Sequence, residues 1–447
     1  MSSLKSRLQR LQGIKNDEQS PSDSTEQLSI NNIEHSKNDH VDQSSIDNRL
    51  LQEKEPYAEQ WNALDVHLIS NEHGEFLMRQ HRYESSHYHG MHQMSEWPQV
   101  AHHLQAFFPD QQACAEKILF LDLETTGLGV GTGNIPFMIG LAYWENDALI
   151  VEQALIRHPA EERAMLAHLH HLTKKYTHLL SYNGKSFDWP LVHSRYVING
   201  MRQEIWEPLH IDLLHPSRSL WRNTLESCKL SHIEEMRLGI TRVEDVPGSE
   251  APRLYFEYLS DGNPKILEGV FLHNEIDMIS LVTLATRFAH LLSDKEITHY
   301  VQQPSEPEEM VRTGIWLEKM GLTTYSEQLY TMAVHVPTTA SNTLMLLAMR
   351  DKKQHNMDRA LSLWHRMVDH IAQFPQRDEI DAAIELSMYY EHKTKQFDKA
   401  YHYATIALEA SLKYVNFSRR KQRNEQQQVV AIRKRLARLE NKQRIKM

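Results

Sequence analysis

The sequence predicts an α/β domain on a mixed sheet, its first three strands antiparallel, followed by an all-α helical domain. Three observations predict it. From Lys117 to about Ser293 short apolar runs alternate with helical periodicities. The first three runs follow one another with no helix between them, so they pair as an antiparallel meander before the first crossover. After Pro304 and Pro307 the pattern is helical to the end of the chain.

Taken in chain order, residues 1–56 hold no aromatic residue and, after position 16, are dominated by Ser, Asp, Asn, Gln and Glu. Such a stretch buries too little surface to offset its ordering entropy and reads as disordered. Its first turns place Leu4, Leu8, Leu11 and Ile14 at helical spacing, a candidate docking helix for a protein partner. Residues 57–116 read as a small extension of strand and loop. His81, His87, His89 and His92 fall within it in a pattern open to a transition metal, but no closely spaced Cys and no HExxH accompany them. Histidines packed beside the next domain are the better reading.

Residues 117–300 carry the α/β pattern, with strands at 118–123, 137–144 and 149–156 and helical stretches at 166–172 and 191–197. Residues 308–415 form helix pairs, with Ala360, Leu363, Trp364 and Met367 on one helix face and Ala400, Tyr403, Ala404 and Ala407 on another. Residues 416–447 read as a basic C-terminal helix with Val429, Ile432, Leu436 and Leu439 on one face. From 418 onward the chain has eleven Lys/Arg against two Glu, although the whole protein carries −10. Such a helix suits packing as a cap, a nucleic-acid arm, or both.

Two cysteines in 447 residues, Cys114 and Cys228, exclude a disulfide framework and a Cys-rich zinc module. No run of about eighteen apolar residues appears, and the first residues have no apolar core of the secretory type. A cytoplasmic location without membrane contact is expected.

The strongest chemical signal is FLDLETTG. Asp122 and Glu124 are two apart on an otherwise apolar strand, so both carboxylates face one side at its carboxyl end. Adjacent carboxylates are unfavourable unless cations sit between them, and oxygen donors of this kind suit Mg²⁺ and Mn²⁺. In SYNGKSFDWP, Asp188 begins a helix after an Asn-Gly turn, as a metal ligand or a helix cap. In LHNEIDMISLVTL, His273 and Asp277 share a helix face one turn apart. Gly127, Gly129, Gly131 and Gly133 make a flexible segment after the acidic pair that lets backbone approach a bound ligand closely. GLGVGTG is neither a dinucleotide fingerprint nor a P-loop. Thr125, Gly127, Asn183, Lys185 and Arg218 are candidate substrate contacts, with Arg222 and Trp221 beside them, though Trp221 suits a core equally well. Asp212 reads as structural.

The order of these motifs, a DxE strand, an NGxxFD turn and a late helix with His and Asp, resembles the DEDD superfamily of exonucleases. That resemblance implies a ribonuclease H-like fold in which four acids, here Asp122, Glu124, Asp188 and Asp277, bind two Mg²⁺ or Mn²⁺ ions, with His273 taking a proton from the attacking water. The three residues between His273 and Asp277 match the interval of the tyrosine subgroup rather than the histidine subgroup. TTGLGVGTGNIPFMIGLAYWE, DLLHPSRSLW, LESCKLSHIEE and HNEIDMISL look like the YprB-type branch, with tetratricopeptide-like helices after the nuclease domain. Over residues 57–415 the resemblance implies a 3′–5′ exonuclease on DNA, in repair with a helicase that the helical domain or the N-terminal helix would bind. A ribonuclease, a structure-specific endonuclease on the same fold, or a non-catalytic helical scaffold are the alternatives.

Overall fold

The computed structural model describes residues 58–127, 133–243, 245–293, 304–369, 371, 375–417 and 422–446. The N-terminal docking helix, Gly129 and Gly131 lie outside them.

Seven strands form one sheet in the order β1-β2-β7-β6-β5-β8-β9. They are β1 (Val66–Asn71), β2 (Gly74–Glu84), β5 (Ile118–Thr125), β6 (Pro136–Glu145), β7 (Ala148–Leu155), β8 (His178–Ser181) and β9 (Leu209–Asp212), while β3 (Tyr88–His89) and β4 (His92–Gln93) pair separately. The expected meander is present: β5 pairs antiparallel with β6, and β6 with β7. After α2 (Glu162–Thr173) the chain returns as β8, parallel to β5, and β9 adds in parallel beyond it. The β1–β2 hairpin extends the sheet at the β7 edge, so the region before 117 contributes to the same sheet.

The two-residue period of β5 sorts its side chains between two cores. Leu119, Leu121 and Leu123 join one core with α2 residues Ala164, Leu166 and Leu169 and with Tyr255 of α6 (Ala251–Asp261). Ile118 and Phe120 join the other, under α1 (Glu96–Val100) and α7 (Glu268–Leu291). Asp122 and Glu124 continue the second set, so the strand aims its acids at the face that α7 covers. On α7 the stripe packed on the sheet runs apolar through Met278, Leu281, Ala285 and Phe288. Four residues before Met278 it carries Asn274, whose amide reaches Asp122.

α3 (Asp188–Ile198), α4 (Leu214–Trp221) and α5 (Leu230–Ile233) follow β8 and β9. The helical domain comprises α8 (Pro307–Lys319), α9 (Thr323–His335), α10 (Ser341–Lys353), α11 (Met357–Asp369), α12 (Arg377–His392), α13 (Phe397–Phe417) and α14 (Gln422–Lys446). Its first helix packs directly on the α/β domain. Trp221 is fully buried, donates from Nε1 to Glu309 at 2.8 Å, and shares a core with Phe288 and Trp316, so it is a core residue and not a base platform. Val429, Ile432 and Leu439 of α14 are buried, and three of its cations, Arg435, Arg438 and Lys442, converge on Glu391. That helix is a packed cap. Among the described residues no helix is long and apolar enough to cross a membrane.

Candidate metal centre

The C-terminal end of β5, the start of α3 and the first third of α7 meet here. Asp122, Glu124, Asp188 and Asp277 are brought within electrostatic reach of one another, Glu124 buried and the other three partly buried. Burial, then the charges of Asp277, Asp188 and Glu124, push the Asp122 carboxyl well above its ordinary range. Burial and the charges of Asp277, Asp188 and Asp245 lift Glu124 to about 8. Burial and Asp212 lift Asp188 to about 7. Asp277 is raised by burial as well, against the opposing pull of His273 and Arg242.

Asp122 is held by Asn274, whose Nδ2 donates to Asp122 Oδ2 at 3.1 Å. Gln153 Nε2 donates to Asn274 Oδ1 at 3.0 Å, which fixes the amide orientation. The amide lies over Gly140, the residue opposite Asp122 on β6, where a Cβ would stand 2.3 Å from Asn274 Oδ1. Glycine is required there by close approach.

His273 Nδ1 donates to Asp245 Oδ1 at 2.8 Å, and Nε2 stands 3.5 Å from Asp277 Oδ2. Gly248 packs on that nitrogen closely enough that a Cβ would come within 2.9 Å. Arg242 donates to Asp277 Oδ1, to Asp245 Oδ2 at 3.0 Å and to both oxygens of buried Glu234. Asp277 is therefore not a bare ligand, because one oxygen already faces a guanidinium. Sequence reasoning missed Arg242, Asp245 and Asn274. Asn274 lies inside the HNEID run and was within reach, whereas Arg242 and Asp245 come from an irregular segment with no periodicity to mark them.

The candidate substrate contacts separate into two groups. Thr125 Oγ1 donates to the Gly127 carbonyl at 2.8 Å, and Asn134 Nδ2 donates to the same oxygen at 3.1 Å, so both residues shape the turn leaving β5. Asn183, at φ 68°, and Lys185 give their backbone N–H groups to Asp212 at 2.8 and 3.2 Å. Asp212 thus holds the turn that presents Asp188, a structural role. Arg218 lies apart from this turn, on α4, in a groove shared with His215, Arg222, Arg312, Trp316 and Lys319. The groove continues past Arg222 to Lys229. Among the described residues no carboxylate pairs with Arg218, Arg222, Lys229 or Lys319. Tyr182, which precedes the Asn183–Lys185 turn, feels the Arg218 charge and donates to the Cys228 carbonyl at 2.6 Å, linking groove to turn.

The four acids fit divalent ions: Glu124 is buried and the others partly buried, they repel one another, and Arg242 is the one Lys or Arg among the described residues that pairs with any of them. Among the described residues no three of these acids bring oxygens within 4.8 Å of one another.

A ribonuclease H superfamily model matches residues 119–289, which span β5 to α7 and every residue of this centre. The class is therefore a nuclease-type fold of that superfamily, whose members use divalent metals. The chain is also 34% identical over 368 residues to the uncharacterized protein YprB of Bacillus subtilis (strain 168), covering 79% of this chain and 85% of the relative. It belongs to the YprB family.

Proposed function

We propose that this protein is a two-metal-ion 3′–5′ exonuclease hydrolysing phosphodiester bonds in DNA. The observation that carries the reading is four carboxylates, Glu124 buried and the other three partly buried, converging with a single guanidinium among the described residues to offset them. Uncompensated buried charge of this kind persists where a cation belongs. Asp122, Glu124, Asp188 and Asp277 would hold Mg²⁺ or Mn²⁺, which when bound lowers the pKa of a water and neutralises charge on the scissile phosphate. His273, oriented by Asp245, accepts the proton of that water at Nε2. Asn274 fixes the Asp122 carboxylate. Arg242 holds Asp277 and Asp245 in register. The groove of Arg218, Arg222, Lys229 and Lys319 supplies unpaired cations for phosphates leading to the centre. DNA repair in the cytoplasm with a helicase bound to tetratricopeptide-like hairpins of the helical domain completes the proposal.

The test is hydrolysis of end-labelled linear and circular DNA and RNA by wild type and by Asp122→Ala/Glu124→Ala, with Mg²⁺, Mn²⁺ or chelator. Metal-dependent trimming of linear DNA from its 3′ end by wild type alone is expected. An equal rate in the variant would overturn the reading, and cleavage of circles would replace exonuclease by endonuclease.

A further inference from the structure

The histidine-rich region does not converge as one site. His81 contacts Glu275, His89 lies 2.9 Å from Ser280 Oγ, and His87 packs against Tyr83. His92 goes elsewhere, and the partners it finds come from outside that run. His92 Nδ1 donates to Glu96 Oε2 at 2.8 Å, and His290 Nε2, from the last turn of α7, donates to the same oxygen at 2.9 Å. The two imidazoles stack with centroids 5.8 Å apart and planes 19° from parallel. One donor atom from each of His92, Glu96 and His290 lies within 4.8 Å of the other two, the sole such trio among the described residues.

Three features set this trio apart from an ordinary hydrogen-bonded cluster. His92 is 1% exposed and Glu96 8%, so both groups are withdrawn from water. Both imidazoles converge on one oxygen of that buried carboxylate, and Gln93 N–H fixes its other oxygen at 2.8 Å. Finally, Nδ1 is the His92 nitrogen that meets Glu96, while Nε2, across the ring from it, is buried without a hydrogen-bond partner. Hydrogen bonding within the trio leaves this ring unsatisfied.

We propose that His92, Glu96 and His290 form a second cation site, distinct from the acidic centre, that takes one ion of the Zn²⁺ class. Two imidazoles and one carboxylate are the donors of borderline transition ions, not of Mg²⁺, which prefers all-oxygen surroundings. Three protein ligands leave a fourth position for water. The ion would join β4 and the start of α1 to the far end of α7. His290 is thirteen residues beyond Asp277, about 20 Å along the helix axis at 1.5 Å per residue. The helix that carries His273 and Asp277 at one end is pinned at the other.

The experiment uses the full chain stripped of metal and titrated with Co²⁺, then Zn²⁺. One equivalent of Co²⁺ should give the intense visible absorption of a four-coordinate ion in wild type. Asp122→Asn/Glu124→Gln should keep it, and one equivalent of Zn²⁺ should bleach it. His290→Ala should abolish it, together with the rise in unfolding temperature that Zn²⁺ gives wild type. Glu96→Gln, which nearly preserves volume, should behave alike and serves if His290→Ala does not fold. Absence of the absorption in wild type, its survival in both His290→Ala and Glu96→Gln, or its loss in Asp122→Asn/Glu124→Gln would overturn the proposal.

Discussion

Buried carboxylates occur in two regions of this molecule under opposite conditions. In the helical domain Glu391 is fully buried, yet Arg435, Arg438 and Lys442 all reach it, and the hydrogen bonds of Arg438 and Lys442 outweigh burial to hold it at about 2. Asp351, equally buried, is bracketed by Arg350 and Arg359. At the end of β5 the carboxylates instead face one another. Burial and neighbouring charge raise them, and among the described residues Arg242 on Asp277 is the lone guanidinium that pairs with them. The chain thus supplies its own counter-charges where a carboxylate is structural and withholds them at the acids proposed to hold metal.

The sharpest way to break this comparison is substitution on both sides. Asp122→Asn should cut metal-dependent hydrolysis by about 100- to 1,000-fold, measured as initial rates on end-labelled DNA. Glu391→Gln should leave those rates near wild type while costing about 1–3 kcal/mol of stability in denaturant titrations, because three cations lose their partner. Comparable loss of activity in both variants would erase the distinction.

pH sharpens it further. In metal-free protein, Glu124 at about 8 and Asp188 at about 7 hold protons that the unfolded chain has released near 4.5 and 3.8. The folded state then binds more protons, so stability falls as pH rises from about 4 to about 8. Glu391 acts in reverse: its contribution is full above about 4.5 and is lost as pH falls toward 2. Chemical denaturation across this range with chelator should show the first slope, and Mg²⁺ should flatten it.

Two smaller effects concern the surroundings of the centre. Asp245→Asn removes the carboxylate that orients His273, and should lower kcat by about 10- to 100-fold with KM little changed. Arg218→Ala/Arg222→Ala should raise the Kd for DNA, leave kcat intact and lower the salt-dependence slope by about 2.

Much of this was legible in sequence. The period of FLDLETTG placed Asp122 and Glu124 on one face, and the helix-free links announced the antiparallel meander. Asp212 read as structural and proves to hold the turn before Asp188. What stayed hidden was long-range. Arg242 and Asp245 reach the centre from an irregular segment, and His92 meets His290, 198 positions further along the chain, a pairing no local spacing encodes. Sequence left the basic tail open between a packed cap and a nucleic-acid arm because it shows the charges but not Glu391, which absorbs three of them.

The central claim, that the acids at β5 await cations, is tested most directly by thermal unfolding of wild type and Asp122→Asn at pH 8, with Mg²⁺ and with chelator. Wild type should gain several degrees from Mg²⁺ and be the less stable of the two in chelator. Wild type indifferent to Mg²⁺, or more stable than the variant without it, would contradict the account.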